Sequence, residues 1–240
     1  MAFMVRKNTG KGSGVVGVRE AARLAGRIHA EEISEGFLSS LGPDFLSSLY
    51  DTLAEAPGTY VIPAYLSEFG VDTHDMSVSP WSGGQLVGFI CGTVSPPIAF
   101  RHSIPRLVVP ALFVSSRLLK AGVIKNSLET MRYGLFRKRT SSERTGGSPE
   151  LLSIAVLPNV RNRGVGAALV QALEDRFVQY FVAHGKCGDK NEISYFVSCG
   201  AELEKANRFY VSRGFRLRRT FLHHGKLTNE YIRTIPCSKL

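Results

Sequence analysis

From Val18 the apolar residues recur at Val18, Ala21, Ala25 and Ile28, and the pattern runs on toward Ile33. That spacing marks one face of a helix. A second amphipathic stretch follows Gly42-Pro43, with Phe45, Leu46, Leu49, Tyr50 and Leu53 on one side. Pro43 suits the first helical turn, where its missing N–H costs nothing, and Pro57-Gly58 ends the pattern. Thr59 to Leu66 and Gln85 to Val94 then read as strands, joined by a polar segment that contains Gly83-Gly84.

Pro96-Pro97 opens a stretch of about fifty residues ending near Pro149, whose middle, Val109 to Tyr133, is expected to be helical. Its end, Arg137 to Gly147, is basic and polar, as loops are. Regular patterning then resumes. Glu150 to Val156 is a strand candidate, read as continuous in apolar residues after its first position, and Pro158 to Arg163 is a turn. A helix from Gly164 carries apolar residues to Phe181. Glu192 to Ser198 is a strand, and Ala201 to Arg213 a helix closed by Gly214. Phe215 to Leu222 and Leu227 to Ile235 form a closing hairpin around His224-Gly225. Helices and strands alternating in this order predict a mixed α/β domain.

Composition narrows the classes. The chain has 240 residues, 44% apolar and 21% charged, which fits one folded domain and excludes a largely disordered chain. The apolar run Leu107 to Val114 is interrupted by Pro110 and falls short of the roughly 20 residues that span a bilayer. The basic, Gly-rich start, Met1 to Ser13, lacks the apolar segment of a secretory signal. Cys91, Cys187, Cys199 and Cys237 show no paired metal-ligand spacing, so four reduced thiols and no metal site are expected. The net charge is +10, and it is concentrated: ten of the basic residues lie between Arg101 and Pro149, against Glu129 and Glu143 alone. A solvated face, an anionic acceptor or a peripheral membrane contact through 104–125 would each account for this. Nucleic acid ranks last, because no aromatics interleave with the basic residues.

The chemistry centres on Ile154-Ala155-Val156-Leu157-Pro158-Asn159-Val160-Arg161-Asn162-Arg163-Gly164-Val165-Gly166-Ala167. Here an apolar strand ends in a turn and a helix opens on Gly-x-Gly. Backbone amides at a helix start are unpaired and carry the positive end of the dipole, which suits a pyrophosphate. Glycine removes the Cβ that would hold an anion off, and Arg161 and Arg163 add positive charge. A dinucleotide fingerprint would need a third glycine where Leu169 stands. The run Thr9 to Gly14 fails the spacing of a nucleotide phosphate loop.

Arg161-x-x-Gly164-x-Gly166 after an apolar strand resembles the acyl-CoA motif of the GCN5-related N-acetyltransferase (GNAT) superfamily. Ala206-Asn207-Arg208-Phe209-Tyr210-Val211-Ser212-Arg213-Gly214-Phe215 resembles its second motif, a helix that bears a tyrosine and ends in Gly-Phe. The specific likeness covers Glu150 to Phe215. It implies a GNAT-like central twisted mixed β-sheet flanked by helices, with a helical insertion between strands three and four. It implies acetyl-CoA as cosubstrate, with the backbone of Ile154, Ala155 and Val156 along the pantetheine arm. The pyrophosphate would rest on Arg161, Asn162, Arg163, Gly164, Val165, Gly166 and Ala167, and Asn207 would join the cofactor contacts. Tyr210 would protonate the departing thiolate, and Glu150, at the head of the central strand, would be the base. Leu203 stands where many members carry asparagine.

Each assignment has a plainer alternative. Gly164 and Gly166 would serve helix–strand packing, Tyr210 the core, and Glu150 the end of a loop. Glu31, Glu32 and Glu35 at the end of the first helix, with Phe37 and Leu38, would flank an acceptor or simply be solvated and core residues. His223 and His224 read as hairpin residues. The expected organisation is a basic tail over 1–14, one domain over 15–236 with an insertion at 96–149, and a short tail at 237–240. The expected activity is transfer of an acetyl group to a primary amine of a small molecule or amino sugar. A protein N-terminus or lysine is the second choice of acceptor, and a non-catalytic acyl-CoA-binding module is the rival class. Cytoplasm is the first choice of compartment; Ser238-Lys239-Leu240 matches a peroxisomal address that has meaning only in a eukaryote.

Overall fold

The computed structural model describes residues 15–33, 38–67, 70–73, 85–113, 148–187, 191–223 and 225–237. The proposed N-terminal tail, Glu35, Phe37, Gly83-Gly84, the basic run from Arg117 to Arg144, His224 and Ser238-Lys239-Leu240 lie outside them.

In chain order the elements are α1 (Val15–Glu32), a 3₁₀ turn (Leu38–Leu41), α2 (Pro43–Ala54), β1 (Thr59–Ser67), β2 (Gly70–Thr73), β3 (Gln85–Thr93) and α3 (Pro96–Phe113). There follow β4 (Glu150–Val156), a 3₁₀ turn (Pro158–Val160), α4 (Val165–Ala183), β5 (Glu192–Gly200), α5 (Glu204–Ser212), β6 (Arg216–His223) and β7 (Lys226–Pro236). The strands make one sheet in the order β2-β1-β3-β4-β5-β7-β6. Among the described residues only β4 and β5 run parallel, and the other pairs are antiparallel.

This is the mixed α/β architecture expected, with four differences. β2 extends the sheet edge inside the segment read as a polar link. The helix of the insertion starts at Pro96 rather than Val109, because two prolines are tolerated in a first turn and Ser95 O there accepts the Ile98 and Ala99 N–H groups. α5 starts at Glu204, not Ala201. Cys187 and Cys237 are joined in a disulfide rather than reduced; Cys91 and Cys199 are free. None of the described helices is long and apolar enough to cross a membrane.

Two apolar layers cover the sheet. On one face α4 lays Leu169, Val170, Leu173 and Phe177 over Ile62, Val87, Ile90, Leu151, Tyr195 and Val197. On the other, α1 and α2 bury Ala22, Ala25, Leu46, Leu49 and Tyr50 against Val61, Phe89, Cys91 and Ala155. The alternation of side chains along β4 splits its residues between the layers. Leu151, Ile154 and Val156 face α4, whereas Leu152 and Ala155 face α1 and α2.

Candidate active site

The site is built where β4 and β5 part. Their register comprises two pairs, Glu150↔Phe196 and Leu151↔Val197, and the strands then separate. A register shift between Cys91 and Gly92 leaves Leu152 as an extra residue on β4, a bulge that bends the strand at that point. The Leu157 N–H donates to Val87 O at 2.8 Å. In an antiparallel ladder bonded positions alternate, so Ala155 and Ser153 also face β3, while the N–H and C=O of Ile154 and Val156 point to the open edge. The edge at Ile154 and Val156 is therefore unpaired in the β4–β5 ladder. The Val156 carbonyl accepts from Arg161 Nε at 2.9 Å, which uses one of its two lone pairs.

The turn after β4 follows from its residues. Pro158 opens the 3₁₀ turn Pro158–Val160, and Arg161 N–H donates back to Pro158 O. Asn162 sits at φ 62° and Gly164 at φ 85°, the left-handed region that asparagine and glycine tolerate best. The first helical bond of α4 runs from Ala168 N–H to Gly164 O at 3.0 Å. The N–H groups of Val165, Gly166 and Ala167 precede that bond and have no partner within the helix. A Cβ placed on Gly164 meets nothing within 4 Å, so its approach is open. Gly166 differs: a Cβ there would stand 3.0 Å from the Phe209 ring of α5. Its glycine serves contact between α4 and α5, a packing role, though not the helix–strand packing considered from sequence. Asn162 and Arg163 are exposed beside the turn. The Arg161 guanidinium pairs with Glu32 at the end of α1.

The second motif divides in two. Tyr210 is buried among the rings of Phe209, Phe215 and Tyr231. Burial first, then the Cys199 thiol and the Tyr231 phenol beside it, push its pKa well up, so it holds its proton at neutral pH. Asn207 departs from the expectation. Its Nδ2 donates to Leu203 O at 2.8 Å and Gly200 O at 3.0 Å, with Ala201 O at 3.3 Å. Its Oδ1 accepts from Tyr231 Oη at 2.7 Å, Asn229 Nδ2 at 2.9 Å and Cys199 Sγ at 3.4 Å. Both N–H groups and both lone pairs are used, so the side chain ties β5, α5 and β7 together and has nothing left for a cofactor.

Glu150 is buried at the floor of the cleft, in the last paired stretch, and alternation puts it on the α1–α2 face. Ser198 stands one residue beyond the final β4–β5 pair. Its Oγ is buried without a hydrogen-bond partner among the described residues. An orphaned hydroxyl beside two unpaired strand edges suits a ligand that brings amide and carbonyl groups. Among the described residues no His, Cys, Asp and Glu cluster could hold a metal.

Sequence reasoning missed one further group on the α1–α2 face. Ser153 interrupts the apolar run of β4. Its Oγ lies 2.8 Å from Tyr50 Oη, which lies 2.5 Å from His29 Nδ1. Burial lowers the His29 pKa to about 4 and raises that of Tyr50 well above its usual value. The available signals were a serine inside an apolar strand and a histidine next to the apolar stripe of α1.

Residues 131–217 match the model of the acetyltransferase (GNAT) domain. No curated protein matches the chain. Among solved structures, the chain is similar to a protein assigned to the GNAT acetyltransferases from Desulfovibrio desulfuricans, at 15% identity and a TM-score of 0.46 over 91% of this chain and 94% of that one. It is similar to an N-acetyltransferase from Staphylococcus aureus Mu50, at 11% identity and a TM-score of 0.43 over 90% and 93%. It is also similar to the spermidine/spermine N-acetyltransferase SpeG from Vibrio cholerae, at 12% identity and a TM-score of 0.41 over 91% and 90%. The segment matched by the acetyltransferase (GNAT) domain model, a little over a third of the chain, contains the turn, the open strand edge and the tyrosine helix.

Proposed function

We propose that the chain transfers an acetyl group from acetyl-CoA to the primary amine of a small molecule or amino sugar, by direct attack while both substrates are bound. The carrying observation is the join of an unpaired β4 edge to an open, left-handed turn at a helix start. The Ile154 backbone and Val156 N–H hold the pantetheine arm as a strand would. The Val165, Gly166 and Ala167 amides, with Asn162, Gly164 and Arg163 beside them, receive the pyrophosphate. Arg161 contributes from one side only, since part of its guanidinium is held by Val156 O and Glu32.

Tyr210 supplies the proton that the leaving sulfur takes. Its pKa is raised, so it is fully protonated at neutral pH. Glu150, on the face that α1 and α2 cover at the cleft floor, takes the proton that an ammonium acceptor sheds before it can attack. The test is Tyr210→Phe, which keeps the ring contacts and deletes the proton. We expect kcat for CoA release to fall about 10²–10⁴-fold with acetyl-CoA affinity unchanged. Full single-turnover rates would make Tyr210 a packing residue. Binding of acetyl-CoA with no transfer to spermidine, glucosamine or a peptide with a free N-terminus would favour a non-catalytic binding module.

A further inference from the structure

We infer that Ser153, Tyr50 and His29 form a proton relay that takes up the proton of the attacking amine, with Ser153 touching the acceptor and Tyr50 and His29 acting through it. The inference rests on the amine-acylating reading above.

Three elements converge to build the chain: His29 from α1, Tyr50 from α2 and Ser153 from β4. His29 is 4% exposed and Tyr50 2%, inside an apolar layer where polar atoms are costly unless bonded. Packing alone does not call for the Tyr50 hydroxyl. The Tyr50 ring lies edge-on to Phe89 at 5.0 Å, and a phenylalanine would fill the same space. Ser153 follows the Leu152 bulge and stands two residues past the last β4–β5 pair, on the part of β4 that borders the cleft. It is half-buried, whereas the two groups behind it are closed off.

Charge state fixes the direction of the bonds. Neutral His29 accepts at Nδ1 in its Nε2–H tautomer. Tyr50, a phenol at every physiological pH, then donates to His29 and accepts from Ser153. The Ser153 oxygen is left with lone pairs toward the cleft. The Cys91 thiol faces the same layer from β3, and burial keeps it protonated. Glu32, three residues along α1, is held by Arg161.

The step balances. The amine nitrogen bonds the thioester carbon and the carbon–sulfur bond breaks, its electron pair leaving on sulfur. The nitrogen's proton passes to Ser153 Oγ, the serine proton to Tyr50 Oη, and the phenol proton to His29 Nδ1. Because burial disfavours the imidazolium, His29 holds that proton only until the products leave and returns it through Tyr50 and Ser153 to water in the cleft, while Tyr210 protonates the sulfur and regains a proton from water.

The experiment measures transfer from acetyl-CoA to spermidine, glucosamine and a peptide with a free N-terminus, using the full chain and whichever probe it turns over fastest. Ser153→Ala and Tyr50→Phe should each lower kcat about 10²-fold, leave the acetyl-CoA KM unchanged and shrink the solvent deuterium isotope effect. Ser153→Thr restores the hydroxyl and should bring kcat back to within a few fold. His29→Asn retains an acceptor near the Nδ1 position but cannot carry the proton, so it should match Tyr50→Phe. Wild-type rates in His29→Asn, or in both Ser153→Ala and Tyr50→Phe, would reduce the chain to a structural one and overturn the relay alone. If Tyr50→Phe does not fold, Ser153→Ala carries the same test from a half-buried position. No transfer by the wild type to any probe would overturn the relay and the amine-acylating reading together.

Discussion

The two motifs that carry the family likeness use their conspicuous residues in opposite ways. In the turn after β4, Gly164 has open space over its Cα and the helix-start amides beyond it are unpaired within the helix. In α5, Asn207 has every donor and acceptor position filled by β5, β7 and its own helix start. One motif leaves its backbone N–H groups without a partner in the helix, and the other commits its polar groups to the fold. A motif position is therefore read correctly only when its bonds are counted.

The sharpest break of that comparison is Asn207→Ala. It strips a partner from the Tyr231 hydroxyl and the Asn229 amide, while the Leu203 and Gly200 carbonyls keep the backbone N–H groups of Asn207 and Leu203. At roughly 1–3 kcal/mol for each group left unsatisfied, the loss should reach about 3 kcal/mol in denaturant unfolding. The folded fraction should bind acetyl-CoA as before. A mild stability loss with abolished binding would reverse the assignment.

Gly164→Glu is the converse. Melting should shift by no more than the roughly 1–2 kcal/mol of placing a non-glycine residue in the left-handed region. Calorimetry should show acetyl-CoA affinity falling about 100-fold, because a carboxylate now occupies the approach to the amides. Unchanged affinity would remove the turn from the binding site.

His29 gives an effect of intermediate size. Its folded pKa of about 4 lies below the unfolded value of 6.5. The neutral form is favoured in the fold, so this contribution is intact above pH 6.5 and is lost as pH falls from about 6.5 through 4. The full loss is about 3 kcal/mol. Stability measured between pH 7 and pH 4 should fall less steeply in His29→Asn than in the wild type; equal slopes would refute it.

Gly166→Ala should change least. Alanine gains about 1 kcal/mol in helix propensity, and the added Cβ presses on Phe209 at 3.0 Å, so the two terms nearly cancel. Acetyl-CoA affinity should hold, because the new methyl points at α5. A large affinity loss would return Gly166 to the site.

Periodicity exposed the elements whose apolar faces are long: α1, α2, α4 and the central strands emerge close to their structural bounds. Four-residue β2 is too short to declare itself, and the start of α3 is hidden by prolines that usually end helices. The Gly164 turn was legible because its backbone conformation demands particular residues. The saturation of Asn207 was not, since its partners Cys199, Asn229 and Tyr231 come from strands whose register no local pattern reveals. The Cys187–Cys237 bond was missed for the same reason: 50 residues separate the two, and only the pairing of β5 with β7 brings them together. The relay was hidden by treating β4 as uniformly apolar, when Ser153 was the one residue there with a hydroxyl to place.

The two-pair register of β4 and β5 also has a mechanical side. It makes the sheet two plates joined along a seam, β2-β1-β3-β4 on one side and β5-β7-β6 on the other. The seam is latched from above by Glu174 of α4. Its carboxylate accepts from the Tyr195 hydroxyl at 2.5 Å and pairs with Arg233 at 2.6 Å, both on the far plate. A plate joined by two rungs and one latch resists sliding but yields readily in opening angle. A thin chain that bonds both exposed edges would bridge the gap between the plates as a further strand would.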